Sequence, residues 1–301
     1  MANIIFGPVN SRRFGLSLGV DLSPFEKICN FDCVYCELAP KKPISSQTKS
    51  IAPQIIIDEL KKVLETGVKF DVLTLTANGE PSLYPHLKEL VAELKKLSLK
   101  QKILILSNGS SVLDTAKFET LKDIDIVKFS LDSAISKSFY RIDKALKSIN
   151  LSLMIEKMAE FSAQFKGELV METLVVAGIN DSEAEFIALN EAFDKIKPLR
   201  VDLSTLDRPP AYAVKAVSKQ RLEELSRLIT AVPVLLPSRD FKQNRLDLSE
   251  EELLKMLHLR AQSEFDIKNL STNSQKLLEN LLKKSAIKEL FLAGVKFYKA
   301  L

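Results

Sequence analysis

Short, near-continuous apolar runs recur through the first two thirds of the chain. They are LGVDL (18–22), FDVLTLT (70–76), KILILS (102–107), DIVKFSLD (125–132), ELVMETLVV (168–176) and LRVDLSTL (199–206). Rich in Val, Ile and Leu, they predict strands covered on both faces. Between them the apolar spacing becomes helical, in IAPQIIIDELKKVLET (51–66), YPHLKELVAELKK (84–96), SINLSLMIEKMAEFSAQF (148–165) and SEAEFIALNEAFDKI (182–196). Six strands alternating with helices predict an α/β fold with a parallel sheet and right-handed crossovers. The pattern alone fits an open doubly wound sheet and a partial barrel equally.

Beyond residue 206 come DRPPAYAVKAV, a helix at about 218–230, an extended PVLLP and a polar bridge, SRDFKQNR (238–245). Helical runs follow near 249–259, 263–269 and 272–285, and IKELFLAGVKFYK alternates around Ala293-Gly294 as a β-hairpin does. Three short helices and a hairpin outline a small winged-helix-like domain. At 301 residues the chain has room for two domains, divided here as 1–237 and 238–301. Charge in the second is uneven. Residues 247–266 hold six acidic and two basic side chains, and residues 268–301 hold seven lysines and two glutamates. A basic last helix and hairpin suit phosphate contact. Protein docking or covering a substrate competes with that reading, and 268–301 lack arginine, the usual reader of guanine.

Apolar residues form 46% of the chain and charged residues 27%, the balance of a globular protein. No apolar run approaches the ~20 residues that span a bilayer, and the N-terminus lacks the pattern of a secretory signal. A cytoplasmic location and no membrane partner are the expectations. A formal charge of +4 selects no partner, and two distant histidines, His86 and His258, exclude a multi-histidine metal site.

The chemistry is concentrated in CNFDCVYC, where Cys29, Cys33 and Cys36 are the chain's three cysteines. Structural zinc wants four ligands, a disulfide would leave one thiol over, and buried structural thiols need not cluster in one polar loop. Thiolates favour an iron–sulfur cluster, and three of them on a cubane leave one iron open for a ligand.

This loop, after a strand of a βα unit, resembles the cluster loop of the radical S-adenosylmethionine (SAM) superfamily. The resemblance covers roughly residues 5–215. It implies a partial (β/α)6 barrel, one [4Fe-4S] cluster on Cys29, Cys33 and Cys36, and SAM as second cofactor. SAM would be chelated to the open iron and cleaved to a 5′-deoxyadenosyl radical. Ala77-Asn78-Gly79-Glu80-Pro81 resembles the family's GGE motif, with Asn in place of the first Gly, and implies contacts to the SAM amino group. An ordinary Asn-Gly turn before a helix is the alternative. By resemblance, Ser107-Asn108-Gly109 faces the methionine carboxylate, Ser130-Leu131-Asp132 the ribose hydroxyls, Tyr35 the adenine, and Val176 or Ile179 the same base. Loop turns and a helix cap by Asp132 are the competing readings.

FGPVNSRRFGLSLGVDL (6–22), YRID (140–143) and LDRPPAYAVKAVS (206–218) resemble one subgroup, the wyosine-synthase-like Fe–S oxidoreductases. Their tRNA-acting relatives build a tricyclic base on a tRNA guanine. This implies RNA or a nucleotide-like molecule as candidate substrate, with Arg12 and Arg13 either at a phosphate or paired with carboxylates. No cysteine is left for a second cubane. The expected activity is thus a radical SAM oxidoreductase or transferase of open reaction, supplied by a flavodoxin- or ferredoxin-type electron donor. The alternatives are an iron–sulfur DNA-binding redox sensor and an activating enzyme for a protein partner.

Overall fold

The computed structural model describes residues 4–11, 13–237, 248–259, 261–271, 273–292 and 295–301. Arg12, the polar bridge at 238–245, the proposed domain boundary and the Ala293-Gly294 turn fall outside them. In chain order the first region contains β1 (Ile5–Ser11), β2 (Gly15–Asp21), α1 (Pro53–Glu65), β3 (Val72–Thr76), α2 (Leu87–Lys96), β4 (Lys102–Ser107), α3 (Thr115–Leu121), β5 (Ile126–Ser130), α4 (Ser136–Ile142), α5 (Leu151–Gln164), β6 (Glu168–Val175), α6 (Glu183–Ile196), β7 (Arg200–Thr205), α7 (Lys219–Ser226) and β8 (Val234–Leu235).

All six predicted strands form, but the sheet has eight, in the order β1 to β8. Strands β2 to β8 pair in parallel. The added β1 is antiparallel to β2, with a register shift between Phe6 and Val9. Its Gly-Pro pair reads as a break in the sequence, yet proline is tolerated on an edge strand and at bulges. The short β8 comes from the extended PVLLP.

Alternation along the strands divides the sheet's two faces. Leu73, Leu75, Ile103, Ile105, Val127, Phe129, Met171, Val201 and Leu203 join the main core beneath the helices. On the other face Val72, Leu104, Ile126 and Val170 pack with Phe14 as an apolar floor. Two residues further along the same strands, Thr74, Leu106, Lys128 and Glu172 line a cavity. The sheet therefore curls around its own interior, whose upper part carries the polar Thr74, Lys128 and Glu172 beside Leu106. No pairing returns from β8 to β1 or β2 among the described residues, so the barrel is partial. Arg13 spans the open seam, donating from Nη1 to the Leu236 carbonyl at 3.1 Å and from Nη2 to that of Leu235 at 3.3 Å.

Helix starts follow side-chain caps. Asp114, Asn150 and Ser182 each accept backbone N–H bonds from the first turn of α3, α5 and α6, a contribution of about 1 kcal/mol per helix. The C-terminal part contains α8 (Glu250–Leu259), β9 (Gln262–Ser263), α9 (Glu264–Leu270), α10 (Ser274–Lys283), β10 (Ile287–Leu292) and β11 (Val295–Ala300). Its three strands form an antiparallel sheet in the order β10-β11-β9. Leu253, Leu257, Ile267, Leu281 and Tyr298 form its core, which continues onto the barrel through Val9 and Phe6 of β1.

Candidate active site

The segment carrying the three cysteines follows β2 and is held from several directions by backbone bonds. Ile28 N–H donates to Asn78 O and accepts, through its carbonyl, Glu80 N–H, both at 2.8 Å. Asp32 N–H and Val34 N–H donate to the carbonyls of Asp143 and Ile142, while Leu146 N–H donates to Asn30 O. Ala211 N–H donates to Cys36 O at 2.8 Å. The segments YRID and RPPAY, remote in sequence, thus clamp the cysteine loop. Asp32 adds a polar hub. Its carboxylate accepts from Lys27 Nζ at 2.7 Å, from Lys41 N–H at 3.2 Å and from the Tyr212 hydroxyl, with Lys144 Nζ at 3.7 Å.

All three cysteines carry free, half-buried thiols. Three thiols in one loop are the soft donor set that an iron–sulfur cubane takes, each at a separate corner. Burial pushes the Cys29 thiol up to about 12, with the Glu80 carboxylate adding to the shift, and raises Cys33 too. Such thiols stay protonated until a metal centre replaces the proton. Phe31 N–H donates to Cys29 Sγ at 3.4 Å, a ready-made hydrogen bond for a thiolate. The donor set fits an iron–sulfur cluster.

The cysteines line a cavity of about 610 Å³ at the C-terminal ends of the barrel strands, where α/β folds gather ligand groups. Tyr35, Asn78, Gly79, Glu80, Ser107, Asn108, Ser130 and Asp132 share its wall; Pro81 and Ile179 do not. Pro81 is buried and starts a single 3-10 turn, and Ile179 packs beside Tyr35 and Val34. Gly79 has φ +135°, and a Cβ there would sit 1.9 Å from the Ile28 carbonyl oxygen, so only glycine fits against the cysteine loop. Asn78 occupies its neighbour's non-glycine position usefully: its Nδ2 donates to Asp21 Oδ2 at 3.0 Å and to Ser23 O at 3.2 Å.

Glu80 is 2% exposed, and both its oxygens are engaged, by Ser82 N–H at 3.0 Å and Asn108 N–H at 2.6 Å. It buckles two cavity loops together. Asp132 accepts the Tyr35 hydroxyl at 2.5 Å and Leu174 N–H at 2.7 Å, and burial raises its pKa. Asp143, whose pKa is raised by burial and by the nearby Asp132 carboxyl, accepts a bond from Cys33 Sγ at 3.3 Å.

Other cavity residues escape sequence reading. Asp21, at the end of β2, is 3% exposed, and burial pushes its pKa up to about 6 against the N–H bonds of Ser23 and Asn78. Lys128 Nζ lies 2.7 Å from Glu172 and 3.2 Å from Asp202, whose other oxygen holds Arg200 Nε at 2.8 Å and lies 3.8 Å from Arg13 Nε. The signal was present: a lysine, a glutamate and an aspartate interrupt apolar strands at positions sharing the interior face. Met256 and Gln262 reach the cavity from the C-terminal part. The Gln262 amide nitrogen is buried without a hydrogen-bond partner among the described residues. Nothing in sequence spacing marks these two.

A parallel partial barrel with a thiol triad at its open end has the architecture of an enzyme that works with a cluster-bound cofactor. The radical SAM superfamily matches residues 24–189, and the chain belongs to it. Enzymes of this superfamily use a [4Fe-4S] cluster and SAM, and they require an external reductant. Within it the chain belongs to the UPF0026 family. It is 40% identical over 299 residues to a UPF0026 protein of Helicobacter pylori strain J99, covering 98% of this chain and 97% of that one. Similarity at 29% over 159 residues extends to GTP 3',8-cyclase of the same strain, covering 52% of this chain and 47% of that one. Streptococcus suis SuiB bound to S-adenosylmethionine shares the fold, with a TM-score of 0.55 at 18% identity over 77% of this chain and 53% of that one. No helix among the described residues is long and apolar enough to cross a membrane.

Proposed function

We propose that Cys29, Cys33 and Cys36 hold the cluster, and that the cavity wall they share with Asn78, Gly79, Asn108, Ser130 and Asp132 binds SAM. The observation that carries this is the convergence of all these residues on one cavity at the strand ends. When bound and reduced, the cluster supplies the electron that splits SAM into methionine and a 5′-deoxyadenosyl radical. The chain's own residues orient and shield. The Gly79 carbonyl is offered to the SAM ammonium, beside the Asn78 carbonyl that accepts Ile28 N–H, with the Asp21 and Glu80 carboxyls behind it. The Ser107-Asn108 turn faces the methionine carboxylate. Asp132, aligned by Leu174 N–H and Tyr35, accepts from the ribose hydroxyls once the Tyr35 hydroxyl swings aside toward the adenine. Electrons come from a flavodoxin- or ferredoxin-type donor.

The substrate reading is RNA or a nucleotide-like molecule, as in the wyosine-synthase-like subgroup. Two observations support it. Residues of the N-terminal motif, Phe6, Asn10 and Ser11, line the same cavity, and one relative is named for a cyclase of GTP; Arg13 is engaged by Asp202 and the Leu235 and Leu236 carbonyls. Residues 238–301 are read as the winged-helix-like unit, here a cover for the cavity through Met256 and Gln262.

Anaerobic reconstitution with iron and sulfide, then dithionite and SAM, tests the chemistry. The expected result is 5′-deoxyadenosine from the wild type and none from Cys33→Ala, which also loses cluster iron. A fully loaded wild-type cluster giving no 5′-deoxyadenosine would overturn it. Total tRNA should raise product formation above the substrate-free rate; no stimulation would remove the RNA reading and leave SAM cleavage standing.

A further inference from the structure

Lys27 stands two residues before Cys29, and its side chain is only 9% exposed. A buried ammonium needs a reason, because desolvation opposes its charge. Its one carboxylate partner among the described residues, Asp32 at 2.7 Å, is heavily shared. The same carboxylate serves Lys144 at 3.7 Å, the Lys41 N–H and the Tyr212 hydroxyl, and Lys144 also lies over the Tyr212 ring at 4.1 Å. Lys27 Nζ also donates to the Ala39 carbonyl at 3.4 Å. Among the described residues, two ammonium groups thus share the Asp32 carboxylate, a local surplus of one positive charge. Lys27 lines the same cavity as all three cysteines, and negative charge at Cys36 or Cys29 favours its ammonium form.

We propose that Lys27, fixed by Asp32, is the counter-cation that sets the reduction potential of the cluster. The inference rests on the placement of the cluster at the three cysteines. Three thiolates on a [4Fe-4S] core give a net charge of −1 in the oxidised form and −2 after one electron is taken from dithionite or a protein donor. The electron adds negative charge to a site shielded from water, where a nearby fixed cation acts strongly. Lys27 therefore favours the reduced form and raises the potential. Asp32 acts oppositely: it holds the ammonium in place while offsetting part of its charge. Lys27 is a positioning residue for charge and touches neither substrate nor the bond that breaks.

Opposite signs distinguish this role from simple support of the loop. EPR-monitored redox titration of the reconstituted protein, before SAM is added, gives the midpoint potential, and iron and sulfide analysis gives the loading. Lys27→Met is expected to lower the potential, Lys27→Arg to restore it, and Asp32→Asn to raise it, each with wild-type iron content. An unchanged potential in a loaded Lys27→Met protein overturns the proposal, as does a shift of the same sign in Lys27→Met and Asp32→Asn. If Lys27→Met does not load, the comparison of Asp32→Asn and Lys27→Arg with wild type decides: no rise in the former removes the proposal. A wild-type protein that takes up no cluster instead refutes the cysteine assignment. Lys27 acting on the SAM carboxylate would weaken SAM binding in Lys27→Met and leave the SAM-free potential unmoved, which also overturns it.

Discussion

Asp21 illustrates what burial costs at the residue scale. Its carboxyl is raised from 3.8 to about 6, chiefly by burial. An acid whose folded pKa exceeds its unfolded one takes up its proton more readily in the fold. Stability from this group is therefore unaffected below about pH 4, falls as pH rises from about 4 to 6, and carries the full cost above that. Two pKa units correspond to about 3 kcal/mol. Asp21→Asn retains an oxygen for the Ser23 N–H, so urea unfolding at pH 4.5 and pH 7 should show a smaller loss of stability with rising pH than wild type. An unchanged difference between the two pH values would show that Asp21 ionises at no cost. Glycine and asparagine at 79 and 78 make the same point in backbone terms: the cysteine loop approaches so closely that one position admits no Cβ and the next supplies an amide to fasten Asp21.

Among elements, the β1–β2 hairpin and its Arg13 seam deserve most weight. Arg13 joins the chain before β2 to the carbonyls after β8 and leans on Asp202. Arg13→Met keeps the aliphatic stem and removes the bonds. Bonds from a charged donor are worth about 1.5–3 kcal/mol, so a loss of about 2–3 kcal/mol in urea unfolding is expected; a loss under about 0.5 kcal/mol would remove the seam role. Strand identity was legible in sequence because burial against helices makes Leu73, Ile103, Val127 and Val201 apolar wherever the barrel curls. Curvature was not legible, since it is encoded in which alternate residues are polar, Thr74, Lys128, Glu172 and Asp202, and those were read only as part of apolar runs. The hairpin was hidden by its Gly-Pro pair. The short helices α3 and α4, seven residues each, are too brief for a periodic signal. Of the candidate cavity wall, the cysteines and the loops at 78–80, 107–108 and 130–132 were legible as local motifs. The clamp was not, because it joins 32–36 to 142–146 and 211–212 through backbone groups that carry no residue signature.

At the scale of the molecule, the C-terminal part is joined to the barrel by shared apolar burial and by polar reach. Val9 is buried within its core, and Lys299 Nζ donates to the Glu37 carbonyl at 3.2 Å. Several of its lysines are committed locally: Lys255 to Glu251, Lys268 to Glu264, Lys284 to Glu250 and Lys296 to Glu289. That reduces the phosphate-facing charge that its composition suggests. A shared core predicts shared unfolding. Calorimetry should give one transition for the wild type, and Val9→Asp, by placing a charge in that core, should split it into two. Two transitions in the wild type would show that the parts fold independently.

The clamp on the cysteine loop has a consequence for how the protein is matured. Many metal sites are shaped by the metal, so that the empty polypeptide is unfolded and delivery is a folding event. Here the loop that carries the thiols is tied by backbone bonds to residues 78–80, 142–146 and 211, all supplied by the polypeptide itself. On the proposed assignment, a scaffold donating a preassembled cluster exchanges thiol protons for iron at a loop whose course is set by the protein's own backbone hydrogen bonds.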